Sequence, residues 1–334
     1  MKVKLKPLDK QVMVITGASS GIGLVTARRA AEAGAKVLLV ARDEAALRKA
    51  VSAIEGAGGI ADYAVADVGD EDQVAKAADK AVAAFGGFNT WVNDAGIGIF
   101  APLIQTSTNE HERLFRTNYW GVVFGSLAAV KHFRQRGGGA LINVGSIASD
   151  IPTPMLGAYS ASKHAVEGYT DALRIELLKE RAPISVTLIK PSGIDTPFAE
   201  HAANHLEGEA RIPPPLYSPE LVADAILSAA RSGQREITVG GAGRAQTLFS
   251  RLAPVAFDWL ATQIIPLLSD ENEPRTESAS LFEPAANGRE RAEQQHGRSF
   301  SAYTSAALHP GVALGVGLVA VLGVAAALGA RRSS

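Results

Sequence analysis

Tyr159 and Lys163 stand four positions apart, and Ser146 precedes the tyrosine by thirteen. A free tyrosine phenol titrates near pH ~10, too high for proton transfer at neutral pH, and a neighbouring ammonium favours the phenolate and lowers that value. On a helix, positions i and i+4 share a face, which would set Lys163 beside Tyr159. A serine at the end of the preceding strand can approach the same point and hydrogen-bond a substrate oxygen. Near the N-terminus runs Thr16-Gly17-Ala18-Ser19-Ser20-Gly21-Ile22-Gly23. Here glycines follow an expected strand and open an expected helix, the context in which such a loop brings its backbone close to a pyrophosphate under the helix N-terminus. A lone Tyr-x-x-x-Lys is an ordinary helical pair. After a Gly-Ser strand end and downstream of a nucleotide loop, it points to a proton donor beside a nicotinamide.

The elements needed to position these groups are legible over the first 240 residues. Short apolar runs at Gln11–Thr16, Lys36–Ala41, Ile60–Ala66, Thr90–Asn93, Ala140–Gly145, Ile184–Ile189 and Glu236–Val239 read as strands. Helical stretches lie between them at Ile22–Ala33, Glu44–Glu55, Glu71–Phe85, Asn109–Arg136, Leu156–Glu180 and Ser218–Ser232. This alternation predicts an α/β fold: a Rossmann-like, doubly wound parallel sheet flanked by helices. The predicted catalytic domain is 1–243.

Beyond it, 244–268 reads as an accessory helical segment broken near Pro254 and Pro266. The stretch 269–307 is polar, with too little apolar content to fold alone, and reads as a flexible linker. Residues 308–334 form an apolar tail, in which Pro310–Ala330 carries no charge. At ~1.5 Å per residue that run matches a ~30 Å hydrocarbon core and is a candidate transmembrane helix. The expected setting is a cytoplasmic catalytic domain anchored through the tail. A docked apolar helix is the other reading, because the run is rich in Gly and Ala and the arginines that end it oppose the usual charge bias.

A net charge of −1 gives no electrostatic case for nucleic acid. The chain has no cysteine, so disulfides and thiolate metal sites are excluded. No secretory signal is evident at the start. His111, His132, His164, His201 and His205 show no acidic partners at metal-ligand spacing, and no metal is expected.

The glycine spacing, with the Tyr-x-x-x-Lys pair and Ser146 in order behind it, resembles the short-chain dehydrogenase/reductase family over roughly residues 8–240. The resemblance implies an oxidoreductase moving hydride between a nicotinamide dinucleotide and an alcohol or carbonyl. Tyr159 would be the general acid/base, Ser146 would orient the substrate, and Lys163 would hold the ribose and lower the tyrosine's pKa. Asn118, in Thr117-Asn118-Tyr119-Trp120-Gly121, would hold a relay water. Cofactor contacts would come from Thr16, Gly17, Ser19, Ser20, Gly21, Ile22 and Gly23, from Asp67 and Val68 at the adenine, and from Asn93, Ala95 and Gly96. Asn93-Asp94-Ala95-Gly96 departs from the family's NNAG at Asp94. Pro191, Ile194 and Thr196 would lie near the carboxamide, with Ser192 placed where the family has Pro-Gly.

Ala41 stands where NAD-users of the family carry aspartate. Arg42 follows, and its planar cationic fork suits a 2′-phosphate, so NADP is expected over NAD. The substrate is expected to be lipophilic, framed by Ala95–Leu103, Asp150–Leu156 and Phe198–Tyr217. The chain is expected to form a homo-oligomer. A membrane-tethered cofactor-binding scaffold without turnover, and a reductase of carrier-bound acyl groups, are the alternatives.

Overall fold

The computed structural model describes residues 3–275, 281–284 and 288–309. In chain order the elements are β1 (Val12–Thr16), α1 (Gly21–Glu32), β2 (Lys36–Ala41), α2 (Glu44–Gly56), β3 (Ile60–Val65), α3 (Glu71–Phe85), β4 (Thr90–Asn93), β5 (Ile99–Phe100), α4 (Thr108–Phe115) and α5 (Gly121–Arg136). There follow β6 (Gly139–Val144), α6 (Gly157–Lys179), β7 (Ile184–Pro191), α7 (Phe198–His201), β8 (Ala203–Asn204), β9 (Gly208–Ala210), α8 (Pro219–Ser232), β10 (Glu236–Val239), α9 (Gly241–Leu252), α10 (Pro254–Ile264), β11 (Ser269–Pro274) and α11 (Ala302–Leu308).

Seven strands make one sheet in the order β10-β7-β6-β4-β1-β2-β3, every pairing parallel. Its central strands are nearly unbroken apolar runs buried along their length, because helices cover both faces. One core layer joins the sheet to α1 and α8 through Ala27, Ala30, Val222 and Ile226; the other joins it to α3 and α5 through Val74, Ala77, Ala129 and Phe133. Side-chain caps set where two of the helices begin: Asp43 accepts from the Ala46 amide at 3.0 Å, and Asp70 from Gln73 at 3.1 Å. The strand order changes direction between β1 and β4, and ligands of open α/β sheets bind past the strand ends at such a point.

Two local expectations change. The helix expected over 109–136 is two helices, α4 and α5, joined by a π-helical turn at Arg116–Trp120. The stretch read as a free linker is built into the body over its described residues. Ser269 and Asp270 pair with Ala210 and Glu209, and Arg291 reaches Asp195 and Glu220. Its charges find fixed partners, which replaces the apolar burial that the stretch lacks. The candidate membrane-spanning run, 310–330, lies outside the described residues; among those described, no helix is long and apolar enough to cross a membrane.

Candidate active site

At the end of β1 the chain turns through Gly17 and Gly21, both at positive φ (73° and 51°), which glycine adopts without a Cβ penalty. The packing also needs them bare. A Cβ on Gly17 would meet Ala95 at 2.8 Å, and one on Gly23 would meet the Gly17 carbonyl at 2.4 Å. The Thr16 hydroxyl accepts the amides of Asp94 (3.1 Å) and Ala95 (3.2 Å), tying the first turn to the one after β4. Between these turns lies a cleft lined by Gly17, Ser19, Ser20 and Gly21, by Arg42 after β2, by Asp67 and Val68 after β3, and by Ala95 and Gly96. Backbone amides at a helix start and an arginine at the far end suit a phosphorylated dinucleotide.

Ser146 follows β6 and caps a short turn, accepting from the Ala148 amide at 3.1 Å. Ser146 also favours the ionised form of the Tyr159 phenol. Lys163 lies one helical turn further along α6, its Nζ 5.6 Å from the centre of the Tyr159 ring and donating to the Val144 carbonyl at 2.8 Å. Asn118 sits in the π-turn. Its amide side chain accepts from the Ile97 N–H (2.9 Å) and donates to the Ile97 carbonyl (3.0 Å) and to Ser162 on α6 (3.0 Å). A wider turn at this point swings one side chain inward against α6, a recurrent use of π-bulges at functional sites.

A second cavity, of about 340 Å³, opens beside the first. Ser146, Tyr159 and Lys163 line it, together with Ile22, Pro191 and Ile194. Asp94, Gly96, Thr196 and Phe198 border both spaces, so the polar trio stands where cleft and cavity meet. The size falls within the roughly 300–1,000 Å³ of small-molecule sites, and the lining is predominantly apolar.

Three charges are coupled at this junction. Burial pushes the Tyr159 phenol up to about 12; the Ser146 hydrogen bond opposes that and the Asp94 charge adds to it. Burial lowers Lys163 to about 8, against the pull of Asp94. Burial raises Asp94 to about 7, against Lys163 and the hydrogen bond from the Gly23 amide. The depression of the tyrosine expected from an adjacent ammonium is not seen: Lys163 is not among the groups that shift the phenol, and desolvation dominates.

The family model for short chain dehydrogenases matches residues 11–207. The chain belongs to the short-chain dehydrogenases. It is similar over 96% of its length, at 44% identity, to an uncharacterised oxidoreductase, YxnA, of Bacillus subtilis, covering 92% of that protein. It is 33% identical over 74% of its length to the putative oxidoreductase SadH of Mycobacterium tuberculosis, covering 92% of it. It is 37% identical over 61% of its length to 3beta-hydroxysteroid dehydrogenase 1 of Eggerthella lenta, covering 77% of it. As a short-chain dehydrogenase it is an oxidoreductase acting on CH–OH groups with a nicotinamide cofactor, NAD or NADP.

Not every residue expected at this dehydrogenase's cofactor reaches the cleft. Asn93 is 3% exposed and belongs to a buried chain in which Trp91 donates to it (2.7 Å), it donates to Asn143 (2.9 Å), and Asn143 donates to Thr170 (2.9 Å). That chain fastens α6 to the sheet and so aims Tyr159. Thr16 and Gly23 likewise act by holding backbone. The Asp67 carboxylate is taken by the Gly69 amide (2.9 Å) and by Arg113 (2.7 Å). Ser192, the departure after Pro191, turns to the sheet edge and donates to the Val239 carbonyl at 2.8 Å.

Of the apolar residues expected at the substrate, Ile151, Leu156, Phe198 and Ile212 line the cavity, whereas Ile99, Phe100, Leu216 and Tyr217 are buried in the body. The roof was missed. It is made by α9, α10 and the turn after them, through Phe249, Phe257, Leu260, Ile264 and Leu267. Their helical apolar spacing was visible, but nothing local said which surface they would cover. Asp94 was missed as well, although its departure from the family motif was the available signal.

Proposed function

We propose that the protein is an NADP-dependent alcohol dehydrogenase or carbonyl reductase for a lipophilic substrate, with Tyr159 as its acid/base. The observation that carries this reading is the placement of Ser146, Tyr159 and Lys163 at the junction of a nucleotide-fitting cleft and an apolar cavity. Bound NADP(H) would supply or accept the hydride. Tyr159 gives its proton to the developing alkoxide oxygen in reduction, or removes it in oxidation; Ser146 holds that oxygen; Asn118 supports the relay through its hold on the Ile97 loop. Arg42 at the end of β2 supports NADP over NAD, because a carboxylate for the ribose 2′-OH is missing at Ala41 and a cation stands beside it.

Two relatives, at 37% and 35% identity, are named 3beta-hydroxysteroid dehydrogenases, and the cavity lining suits such large apolar alcohols. The outside of the roof exposes the large apolar residues Leu252, Val255 and Trp259 beside the cations Arg244 and Arg251. The apolar lining of the cavity favours a lipophilic substrate over a carrier-bound acyl group. The complete trio speaks against a scaffold without turnover. The same apolar exterior supports membrane anchoring through the 310–330 run. Fractionating cells that express the chain with and without 310–334 tests the anchor; equal recovery in the soluble fraction defeats it.

The test of function follows absorbance at the nicotinamide band with NADPH or NADP⁺ and a panel of hydroxysteroids, long-chain alcohols, their carbonyl forms and small polar analogues. Turnover of the apolar members with NADP(H) is expected. Turnover confined to the polar analogues, or a clear preference for NAD(H), would overturn the corresponding part of the reading.

A further inference from the structure

The nucleotide cleft has a wall from the far end of the chain, beyond the region that the family model matches. At the phosphate loop, the amide of Gly21, the first of α1, donates to the carbonyl of Arg289 at 2.8 Å. At the ribose end, the Arg42 guanidinium donates through Nη1 to the carbonyl of Phe282 and through Nη2 to that of Glu283, each at 3.1 Å. At the adenine end, Arg113 bridges its carboxylate partner Asp67 to the carbonyl of Leu281 (2.8 Å). Pro284 lines the cleft itself.

The wall is fastened at sites remote from the cleft. Leu281 is 3% exposed and packs with Ile99, Leu114 and Ala158. Asp195, 1% exposed, takes the Arg291 guanidinium (2.9 Å) and the amides of Ala292 (3.2 Å) and Gly297 (3.0 Å). Arg291 also pairs with Glu220 at 2.7 Å, and Arg289 with Glu200 at 2.5 Å. Ion pairs at such half-exposed positions contribute little each. A buried carboxylate with three donors is worth more, so the fastening is firm at Asp195 and releasable elsewhere. Asp195 lies between Ile194 and Thr196, which line the substrate cavity, so one carboxylate links the wall to both sites.

We propose that the described residues at 281–284 and 288–298 are a clasp belonging to the nucleotide site, which lifts for the dinucleotide to enter or leave. Two of its backbone carbonyls, on Phe282 and Glu283, hold the Arg42 guanidinium. A closed clasp covers the bound nucleotide and slows its release. The proposal rests on NADP(H) being the ligand of this cleft.

The test uses the full chain loaded with NADPH, following nicotinamide fluorescence in stopped flow as excess NADP⁺ displaces it. Arg291→Met removes the guanidinium that ties the clasp to Asp195 and Glu220, leaving the two amides on Asp195; Leu281→Ser loosens it at the opposite end. Each is expected to release NADPH at least tenfold faster than the parent. In the parent, NADPH should also slow tryptic cleavage after Arg289 and Arg291, read by mass spectrometry. If either variant does not fold, the other and the proteolysis carry the test. Release rates unchanged or slowed, with cleavage indifferent to NADPH, overturn the clasp. A parent chain that does not bind NADPH at all refutes the nucleotide assignment instead.

Discussion

The first amide of α1, on Gly21, is hydrogen-bonded to the carbonyl of Arg289 at 2.8 Å, so the glycine turn that opens α1 also holds the C-terminal segment of its own chain. Fold and site are joined there, and the consequences can be measured.

Tyr159→Phe should lower kcat by about 10³-fold, within the usual range for loss of a positioned proton donor. The cofactor's dissociation constant should move less than about threefold, because the phenol lies at the substrate cavity. Fluorescence titration beside steady-state kinetics separates the two. A variant with near-normal turnover would remove Tyr159 from the mechanism.

Arg42→Ala should raise the dissociation constant for NADPH by about 10–100-fold, the ~1.5–3 kcal/mol of a hydrogen bond to a charged group. NADH binding should change little. Equal losses for both nucleotides would show that Arg42 acts through the clasp rather than on the 2′-phosphate.

Asp94→Asn should move the pH profile of kcat/KM to lower pH. The Asp94 anion raises both Tyr159 and Lys163, so its removal lets both pKa values fall. The same variant should gain stability at neutral and alkaline pH. Asp94 is raised from 3.8 to about 7 on folding, so its favourable contribution is complete below pH 3.8 and is lost as the pH rises through about 7. The gain from Asn should therefore vanish toward pH 4, as read by denaturant unfolding across pH. An unmoved profile, with a pH-independent stability change, would contradict the coupling.

Lys190→Met should destabilise the fold by about 3–5 kcal/mol, as when one partner of a buried ion pair is removed. Lys190 is 2% exposed, with Asp150 at 2.9 Å, Glu167 at 2.8 Å and Glu236 at 3.2 Å around its ammonium. The deficit should shrink in acid, where the stranded carboxylates protonate. Because Asp150 also takes Arg251 of α9 at 2.6 Å, the variant should raise the KM of an apolar substrate more than it alters NADPH affinity. A midpoint within 1 °C of the parent would deny the cluster any structural role.

Much of this was legible one residue at a time. β2, α3, β4 and β10 begin and end where apolar period, Asp caps and glycines put them, since those signals act over one or two turns. Gly17 and Gly23 could be read because only glycine fits the turn they make. Asn118 was named, but the π-turn that aims it was not, because its cause is packing of α4 and α5 against α6 rather than any local breaker.

The sequence by itself determined the parallel α/β sheet and the glycine turn that opens α1, and it named Ser146, Tyr159 and Lys163 as the proposed trio. Short-range sterics and residue chemistry set all three. Only the tertiary structure decided that Asp94 is coupled to Tyr159 and Lys163, that α9 and α10 roof the apolar cavity, and that a polar segment fit for a linker wraps the phosphate loop. Those relations depend on desolvation and on charges far apart in the chain finding one another. No local pattern carries either.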